Sequence, residues 1–352
     1  MNLHEDKEAF KDLVNLTSES LGIEEIYVEK DYYAVLALKS LSESDVRANG
    51  IFKGGTSLSK AYTIINRFSE DIDMAIVNDG GTQVGSRAQM KAVEKALTSS
   101  AIFEEDLKHE RVKKGGRLRQ SVHKYPLLDT KADYGQASKH LFIDASRMSV
   151  GIPFEERQIR TYISQFLAQT GQEDVLKEFS LHPIVVPTLS MQRTFVEKFG
   201  SVVKFAYLDE QEGDGKLNRL RRGIRHIYDL HMLLQQGPIV GFMRGTERFN
   251  EQSFEDFLHQ VLLDDLAGNQ EKNGYADYMN SAFADCLLYR AIDDTWDALR
   301  ATYESDFSRL HFQRRELPSS KDIIETLIRL QRACQNFDAW KKENNVIYAI
   351  QT

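Results

Sequence analysis

The sequence predicts a protein of the α+β (mixed α/β) class, with a mixed sheet and flanking helices followed by a helical C-terminal domain. Up to about residue 190, short strand-like apolar runs alternate with helical patterns. From Met191 onward, apolar residues recur every three or four positions, with charged residues on the opposite side. Since no proline-rich linker marks a hinge, this change of pattern predicts domains at 1–190 and 191–352.

The individual elements follow from the same periodicities. In the first domain, helices are predicted at 5–21, 29–41, 87–101 and 157–169. Strands are predicted at 71–77, 119–128, 140–148 and 183–189, with the turn NDGG at 78–81. The apolar run IFKGG leads into a helix with one apolar face, formed by Leu58, Ala61, Tyr62 and Ile65. In the second domain, helices are predicted at 251–266, 275–303 and 320–337.

Composition and charge exclude several classes of protein. The chain has 352 residues, of which 41% are hydrophobic and 28% charged, and no apolar stretch is long enough for a membrane span. The polar N-terminus is not typical of a secretory signal, and two cysteines are too few for a disulfide framework, so we expect a cytoplasmic protein. The net charge of −8 argues against indiscriminate nucleic-acid coating. Two basic clusters, 113–119 and 218–226, are either solvated surfaces or a local basic groove.

An acidic pair in the predicted strand 71–77 is the first candidate for chemistry. Strand alternation places Asp71 and Asp73 on one face, with Cα atoms roughly 6.5–7 Å apart, while Ile72 and Met74 point into a core. Two carboxylates this close repel unless a cation joins them, and Mg²⁺ suits such oxygen ligands. Taken alone, an Asp-x-Asp pair is also common on exposed strands.

A glycine corner precedes that strand. Gly54 and Gly55 lack side chains where a phosphate chain could approach the backbone, and Thr56 and Ser57 supply hydroxyls at a helix start. Alone, this motif is most often a turn with a helix cap. Followed in order by a helix and an acidic strand, it outlines a site for phosphoryl transfer.

These residues resemble a known family. The runs GGTSLSKAY and RFSEDIDMAI are similar to the signature of the polymerase-β-like nucleotidyltransferase superfamily, and most closely to the AbiEii/AbiGii toxins, which include the MenT-type toxins. The upstream VEKDYY resembles the family's N-terminal helix. The resemblance implies a nucleotidyltransferase-like sheet, with Asp71 and Asp73 as Mg²⁺ ligands. It also implies that Gly55, Thr56 and Ser57 contact the nucleotide phosphates, and Gly54 belongs to the same candidate site.

The resemblance extends to further candidate residues. Members often add a third carboxylate from a neighbouring strand, offered here by Asp144, either as a metal ligand or to deprotonate the acceptor, unless it forms a strand-end salt link. SMQRTFVEKF resembles the segment with an essential lysine, which maps onto Lys198, and RHIYDLHMLL resembles a helix whose acid falls on Asp229, although His226 replaces that motif's first acid. Alternatively, Lys198 is an exposed helix cation and Asp229 pairs with Arg225. Arg222 and Arg225 could meet the acceptor's phosphates.

The expected function is that of a Mg²⁺-dependent nucleotidyltransferase toxin of a bacterial toxin–antitoxin (abortive infection) system. It would transfer NMP from an NTP to an acceptor, with a tRNA 3′ end implied by the resemblance, and a cognate antitoxin would hold it in check. One alternative keeps this chemistry on a protein side chain. Another is a nucleotidyltransferase fold that serves as a non-catalytic binding module.

Overall fold

The chain forms two compact units. The computed structural model describes residues 1–77, 83–132, 138–147, 153–269, 274–312 and 316–349. The units are Met1–Leu189, which combines a sheet with helices, and Ser190–Thr352, in which helices predominate. The mixed α/β class is therefore confirmed. The predicted turn at 78–81 and the predicted strand end at Met148 lie outside the described residues.

A mixed sheet organises the first unit. The described strands are β1 (Gly50–Lys53), β2 (Asp71–Ile76), β3 (Glu104–Glu105), β4 (Lys113–Lys114), β5 (Leu118–Lys124), β6 (Leu141–Arg147), β7 (Phe154–Ile159) and β8 (Ile184–Leu189). Their order is β3-β5-β6-β2-β1-β8-β7, and β4 also pairs with β5. Pairing is parallel between β2 and β6 and between β1 and β8, and antiparallel elsewhere. The central strands β2 and β6 therefore run side by side in the same direction.

Helices cover one face of this sheet. The first unit contains α1 (Lys7–Leu21), α2 (Glu25–Ser42), α3 (Gly54–Lys60), α4 (Gln83–Leu97), α5 (Tyr162–Gln169) and α6 (Glu173–Glu178). A side chain added at Gly50 of β1 would meet Met74 of β2, Val93 of α4 and Leu41 of α2. The apolar side chains of β2 thus face α2 and α4, which leaves its acidic side chains on the opposite face.

Local capping explains where several helices begin and end. Asp6 caps α1 by accepting a hydrogen bond from the Ala9 amide, and Gly22 ends that helix in the left-handed conformation. Helix α3 is shorter than predicted: it ends at Lys60, so Ile65 lies beyond it. The loop that follows still returns the chain to β2.

The helix predicted at 157–169 is wrong in its first part. Residues Phe154–Ile159 form β7, an edge strand paired antiparallel with β8, and α5 begins only at Tyr162 after its cap Thr161. Glu, Arg and Gln favour helices, but pairing with β8 overrides this weak preference. The charged side chains on β7 also protect an exposed sheet edge from further pairing.

The second unit is built around two long helices. Its helices are α7 (Met191–Glu212), α8 (Asn218–Arg222), α9 (Ile224–Leu233), α10 (Gly237–Met243), α11 (Phe254–Gly268), α12 (Asp277–Asn280), α13 (Leu287–Arg290), α14 (Ile292–Ala301) and α15 (Ser320–Glu343). Capping boxes at Ser253 and Ser319 start α11 and α15. The helix predicted at 275–303 is instead broken into short segments, because Ser281 and Cys286 adopt extended backbone conformations.

No helix among the described residues has both the length and the apolar character needed to cross a bilayer.

Candidate active site

The acidic face of β2 forms the centre of the candidate site. Asp71 and Asp73 are partly exposed, whereas Ile72 and Met74 between and beyond them are buried. The two acids therefore share one face of the strand, opposite the helices.

A row of polar residues crosses the sheet at Asp73. Asp73 is in register with Asp144 of β6, which is in register with Gln120 of β5. The row extends to Lys113 of β4 on one side and to Lys53 of β1 on the other. Since directly opposed residues point to the same face, the sheet brings Asp144 to the acidic pair. Asp144 lies in mid-strand, so it is not the strand-end acid that the sequence left open.

The glycine corner lies directly against the acidic strand. Gly54 has φ +79°, and a Cβ atom there would overlap the Asp73 carboxylate. The Thr56 hydroxyl donates to the Asp71 carbonyl oxygen at 2.5 Å, and the Ser57 hydroxyl donates to the Gly54 carbonyl oxygen at 2.9 Å. Both residues are buried; the Thr56 hydroxyl fixes the corner to the strand, and the Ser57 hydroxyl closes the corner on itself.

Gly55 makes room for a buried arginine. A Cβ atom at Gly55 would lie 2.5 Å from Nη2 of Arg67 and 2.9 Å from Oγ of Ser69. Arg67 is 1% exposed, and its Nη1 donates to the Phe68 carbonyl oxygen. The second glycine therefore has a packing role, in addition to the phosphate approach expected from the sequence.

The surroundings of Asp144 shift its pKa. Burial raises the pKa of Asp144, and the neighbouring Asp71 adds to this rise. A hydrogen bond from Gln120 Nε2 at 2.8 Å and the positive charges of Arg111 and Lys113 act in the opposite direction. Asp144 thus holds a proton more readily than an ordinary aspartate.

The donor set fits a hard divalent cation. Asp71 and Asp73 present carboxylate oxygens on one face, and the side chains of Asp71 and Asp144 are 18% and 19% exposed, which leaves them accessible. Arg111 supplies a positive group there, since its guanidinium lies 3.4 Å from Asp71 and 3.8 Å from Asp144. No group of three or more His, Cys, Asp or Glu side chains among the described residues is arranged to hold a metal. The fit thus rests on the acidic pair, with the remaining ligands to come from substrate and water.

Lys30 of α2 holds the starts of both acidic strands. Its ammonium donates to Glu70 Oε2 at 2.6 Å, to the Ser138 carbonyl oxygen at 2.6 Å and to the His140 carbonyl oxygen at 2.7 Å. Glu70 immediately precedes β2, and Ser138 and His140 immediately precede β6. The Lys30 side chain is 1% exposed, and burial lowers its pKa. One buried cation therefore ties together the two strands that carry the acids.

Glu29 and Asp31, which flank Lys30 in the VEKDYY motif, make buried contacts of their own. Glu29 accepts a hydrogen bond from the Leu128 amide at 2.7 Å. Asp31 forms a buried ion pair with Lys60 at 2.6 Å and accepts from the Tyr162 amide at 2.7 Å. Since Lys60 ends α3, this motif anchors the glycine corner as well as the strands.

In the second unit, two of the predicted site residues form an ion pair with each other. Lys198 Nζ of α7 lies 2.8 Å from Asp229 Oδ2 of α9, and both side chains are buried. Lys198 is thus not the exposed cation that the sequence left open. The ion pair seen for Asp229 is with Lys198, and Arg225 is exposed on α9.

The arginines of the basic cluster at 218–226 divide into two groups. Arg219 is held by Asp209 and Glu212, and Arg221 donates to Thr302 Oγ1. Arg222 and Arg225 are exposed on α8 and α9. Arg222 Nε donates to the Asn218 carbonyl oxygen at 3.2 Å.

Comparison with known proteins defines the class. A family model described as nucleotidyl transferase AbiEii toxin, type IV toxin–antitoxin system, matches residues 36–287, about seven tenths of the chain. The protein is therefore a nucleotidyltransferase, of the toxin kind. More specifically, the chain belongs to the AbiEii toxin family, which implies an NTP substrate and a cognate antitoxin.

Solved structures show distant similarity. A crystal structure of a candidate nucleotidyltransferase from H. pylori is 13% identical, with a TM-score of 0.38, and the match covers 91% of this chain and 98% of that one. MenT4, a nucleotidyltransferase toxin from Mycobacterium tuberculosis, is 14% identical, with a TM-score of 0.33 and coverage of 93% and 98%. No curated protein matches the chain in sequence.

Several residues of the site were missed in the sequence. Gln120 reaches Asp144 through strand pairing, and Arg111 reaches it from the loop between β3 and β4; no local pattern exists for either contact. Lys30 did leave a signal, because three consecutive charged residues inside an otherwise apolar helix indicate buried, paired charges.

Proposed function

We propose that this toxin transfers a nucleoside monophosphate from an NTP to the 3′ end of a tRNA in a Mg²⁺-dependent reaction. The observation that carries the proposal is the acidic face itself. Asp71 and Asp73 share one face of β2 against the Gly54 corner, and Asp144 lies beside Asp73 in register. The tRNA acceptor is supported by the family resemblance alone.

The acidic pair would hold the magnesium ion. Bound by Asp71 and Asp73, the ion would offset the triphosphate charge and stabilise the leaving oxygens. Gly54 and Gly55 would let the phosphates approach the backbone, next to Thr56 and Ser57. For Ser57 to contact a phosphate through its hydroxyl, it would exchange its present bond to the Gly54 carbonyl.

Asp144 is suited to act as the general base. In the proposed reaction, the acceptor hydroxyl forms a bond to the α-phosphorus, the bond to the bridging oxygen breaks, and pyrophosphate leaves with that electron pair. The hydroxyl proton goes to Asp144, which lies in register with Asp73 on the same face of the sheet. Gln120 fixes the orientation of this carboxylate through its 2.8 Å hydrogen bond.

The second unit supplies further proposed roles. Lys198 would neutralise charge on the nucleotide phosphates, and Asp229 would hold its ammonium in place, as the 2.8 Å pair suggests. Exposed Arg222 and Arg225 would contact acceptor phosphates. In this way an acidic chain could bind RNA through a local basic surface.

Transfer of label tests the proposal. The purified protein is incubated with each α-³²P-labelled NTP, with Mg²⁺ or EDTA, and with either tRNA or a protein fraction. We expect label on tRNA only with Mg²⁺, and none on tRNA whose 3′ diol has been oxidised by periodate. Asp71→Asn/Asp73→Asn should reduce transfer by at least about a hundredfold, the scale of losing a charged group that stabilises a transition state.

The control neutralises a single acid away from the site. Asp45→Asn alters an exposed acid of the same unit and should leave transfer unchanged. Label on protein rather than on tRNA would replace the acceptor that we propose. Equal transfer by wild type and the double Asn variant would remove the acidic pair from the mechanism.

A further inference from the structure

Arg111 is a cation within the acidic face. It lies between β3 and β4, and its Nη1 and Nη2 are both 3.4 Å from Asp71 Oδ1, with Nη2 also 3.8 Å from Asp144 Oδ2. Its guanidinium stacks over the ring of Phe142 at 3.8 Å from the centroid. Because Phe142 is in register with Asp71, the ring supports the guanidinium beside the carboxylates.

These contacts are loose. Charge-assisted pairs usually close to about 2.7–2.9 Å. Arg119 on β5 makes such a pair, with its Nε 2.6 Å from Glu94 Oε2. Arg111 remains more than half an ångström further from its acids, and its side chain is 34% exposed. The Phe142 ring and the combined negative charge of Asp71 and Asp144 therefore hold Arg111, rather than a close bidentate ion pair with one carboxylate.

We propose that Arg111 is an exchangeable counter-ion: it competes with the divalent cation for Asp71 and then contacts the phosphates of the bound NTP. The inference rests on the proposed function, since it requires a cation at Asp71 and Asp73. Two cations against one carboxylate oxygen repel each other, so cation binding weakens the Arg111 contact. An NTP brings phosphate oxygens to the same face, and a planar guanidinium pairs well with them.

Metal binding without nucleotide tests the competition. Mn²⁺ affinity of the full chain is measured by calorimetry for wild type, Arg111→Gln and Arg111→Lys. We expect Arg111→Gln to bind Mn²⁺ about fivefold more tightly, the scale of one partly exposed charge interaction. Arg111→Lys keeps the positive charge and should bind Mn²⁺ like wild type. In EDTA, Arg111→Gln should also unfold at a lower temperature, because the acids lose their counter-ion.

Nucleotide binding tests the second role. At saturating metal, both variants should show a raised KM for NTP, because neither presents the guanidinium fork to the phosphates. The matched control is Lys114→Gln, which removes one positive charge from the same segment. Lys114 is opposite Arg119 on β5, so it lies on the other face of the sheet, where it pairs with Glu105. Its Mn²⁺ affinity and KM should match those of wild type.

The outcomes separate the two proposals. If Asp71→Asn/Asp73→Asn leaves Mn²⁺ binding intact, the proposed metal site is wrong, and this inference falls with it. If that double variant abolishes Mn²⁺ binding but Arg111→Gln binds Mn²⁺ no more tightly than wild type, the exchange is wrong while the metal site stands. If KM for NTP is unchanged in both Arg111 variants, the phosphate contact is wrong.

Discussion

At the scale of single residues, the site depends on one glycine. Gly54 combines a left-handed backbone with an Asp73 carboxylate where its Cβ atom would lie. Gly54→Ala therefore costs on the order of 1 kcal/mol in backbone strain and must also push the carboxylate aside. A displacement of about 1 Å in a catalytic group lowers rates by about a hundredfold. We expect that loss in the initial rate of nucleotidyl transfer.

Gly22 provides a control that has the left-handed backbone of Gly54 but not its contact with a carboxylate. Gly22, the cap of α1, has φ +66°, and a Cβ atom there would meet nothing within 4 Å. Gly22→Ala should lose similar stability in denaturant but keep full transfer activity. If Gly22→Ala and Gly54→Ala lost activity equally, the contact between Gly54 and Asp73 would not matter to catalysis.

The sequence pattern could indicate which carboxylates belong to the site, but not which residues contact them. Strand alternation is a local property, so it could place Asp71 and Asp73 on one face before the structure was known. By contrast, the neighbours of Asp144 follow from the register of β5, β6 and β2, which only the folded sheet defines. Whether these acids bind a metal remains a prediction for the experiments above.

At the scale of secondary-structure elements, α2 acts as a clamp on the acidic strands. Lys30→Met leaves Glu70 and two carbonyl oxygens without their shared donor. Breaking a buried ion pair from one side costs about 3–5 kcal/mol, and since Glu70 is 21% exposed we expect the lower end. Urea denaturation measures the loss. Transfer activity should fall as well, because the starts of β2 and β6 are no longer tied together.

Lys39 on the same helix provides the comparison. Its ammonium donates to the Ser180 carbonyl oxygen at 3.2 Å in an exposed contact. Lys39→Met should cost less than about 1 kcal/mol and leave activity intact. A Lys30→Met protein as stable as Lys39→Met would mean that the buried network contributes nothing to holding the strands.

Elements were predictable where local periodicity and tertiary pairing agree. The helix predicted at 5–21 is α1, and the strand predicted at 183–189 is β8. The prediction failed at β7, whose helix-favouring residues are paired into a sheet edge, and at 275–303, where helical periodicity continues across extended breaks. At β7, pairing with β8 overrode the local preference, and within 275–303 the amides of Phe283 and Ala284 donate to the Asp338 side chain of α15.

At the scale of the whole molecule, histidines with lowered pKa values make stability depend on pH. Burial lowers the pKa of five histidines in the two units, namely His4, His123, His140, His231 and His259. Each binds a proton less readily in the folded chain than in the unfolded chain. Below about pH 6.5, the unfolded state therefore takes up more protons, and the free energy of unfolding falls as the pH falls.

His123 should carry a measurable share of this effect. It is 3% exposed, and its Nδ1 has no hydrogen-bond partner among the described residues, so a protonated ring would bury an unmatched charge. Asp31 and Asp144 have raised pKa values, which act in the opposite direction. Comparing His123→Gln with wild type cancels these carboxylate contributions, because both proteins contain them.

The free energy of unfolding, measured in urea from pH 7.5 to 5.5, should fall less steeply for His123→Gln. Its stability deficit relative to wild type should therefore shrink as the pH decreases. Parallel curves for the two proteins would mean that protonation of His123 does not oppose folding in this range.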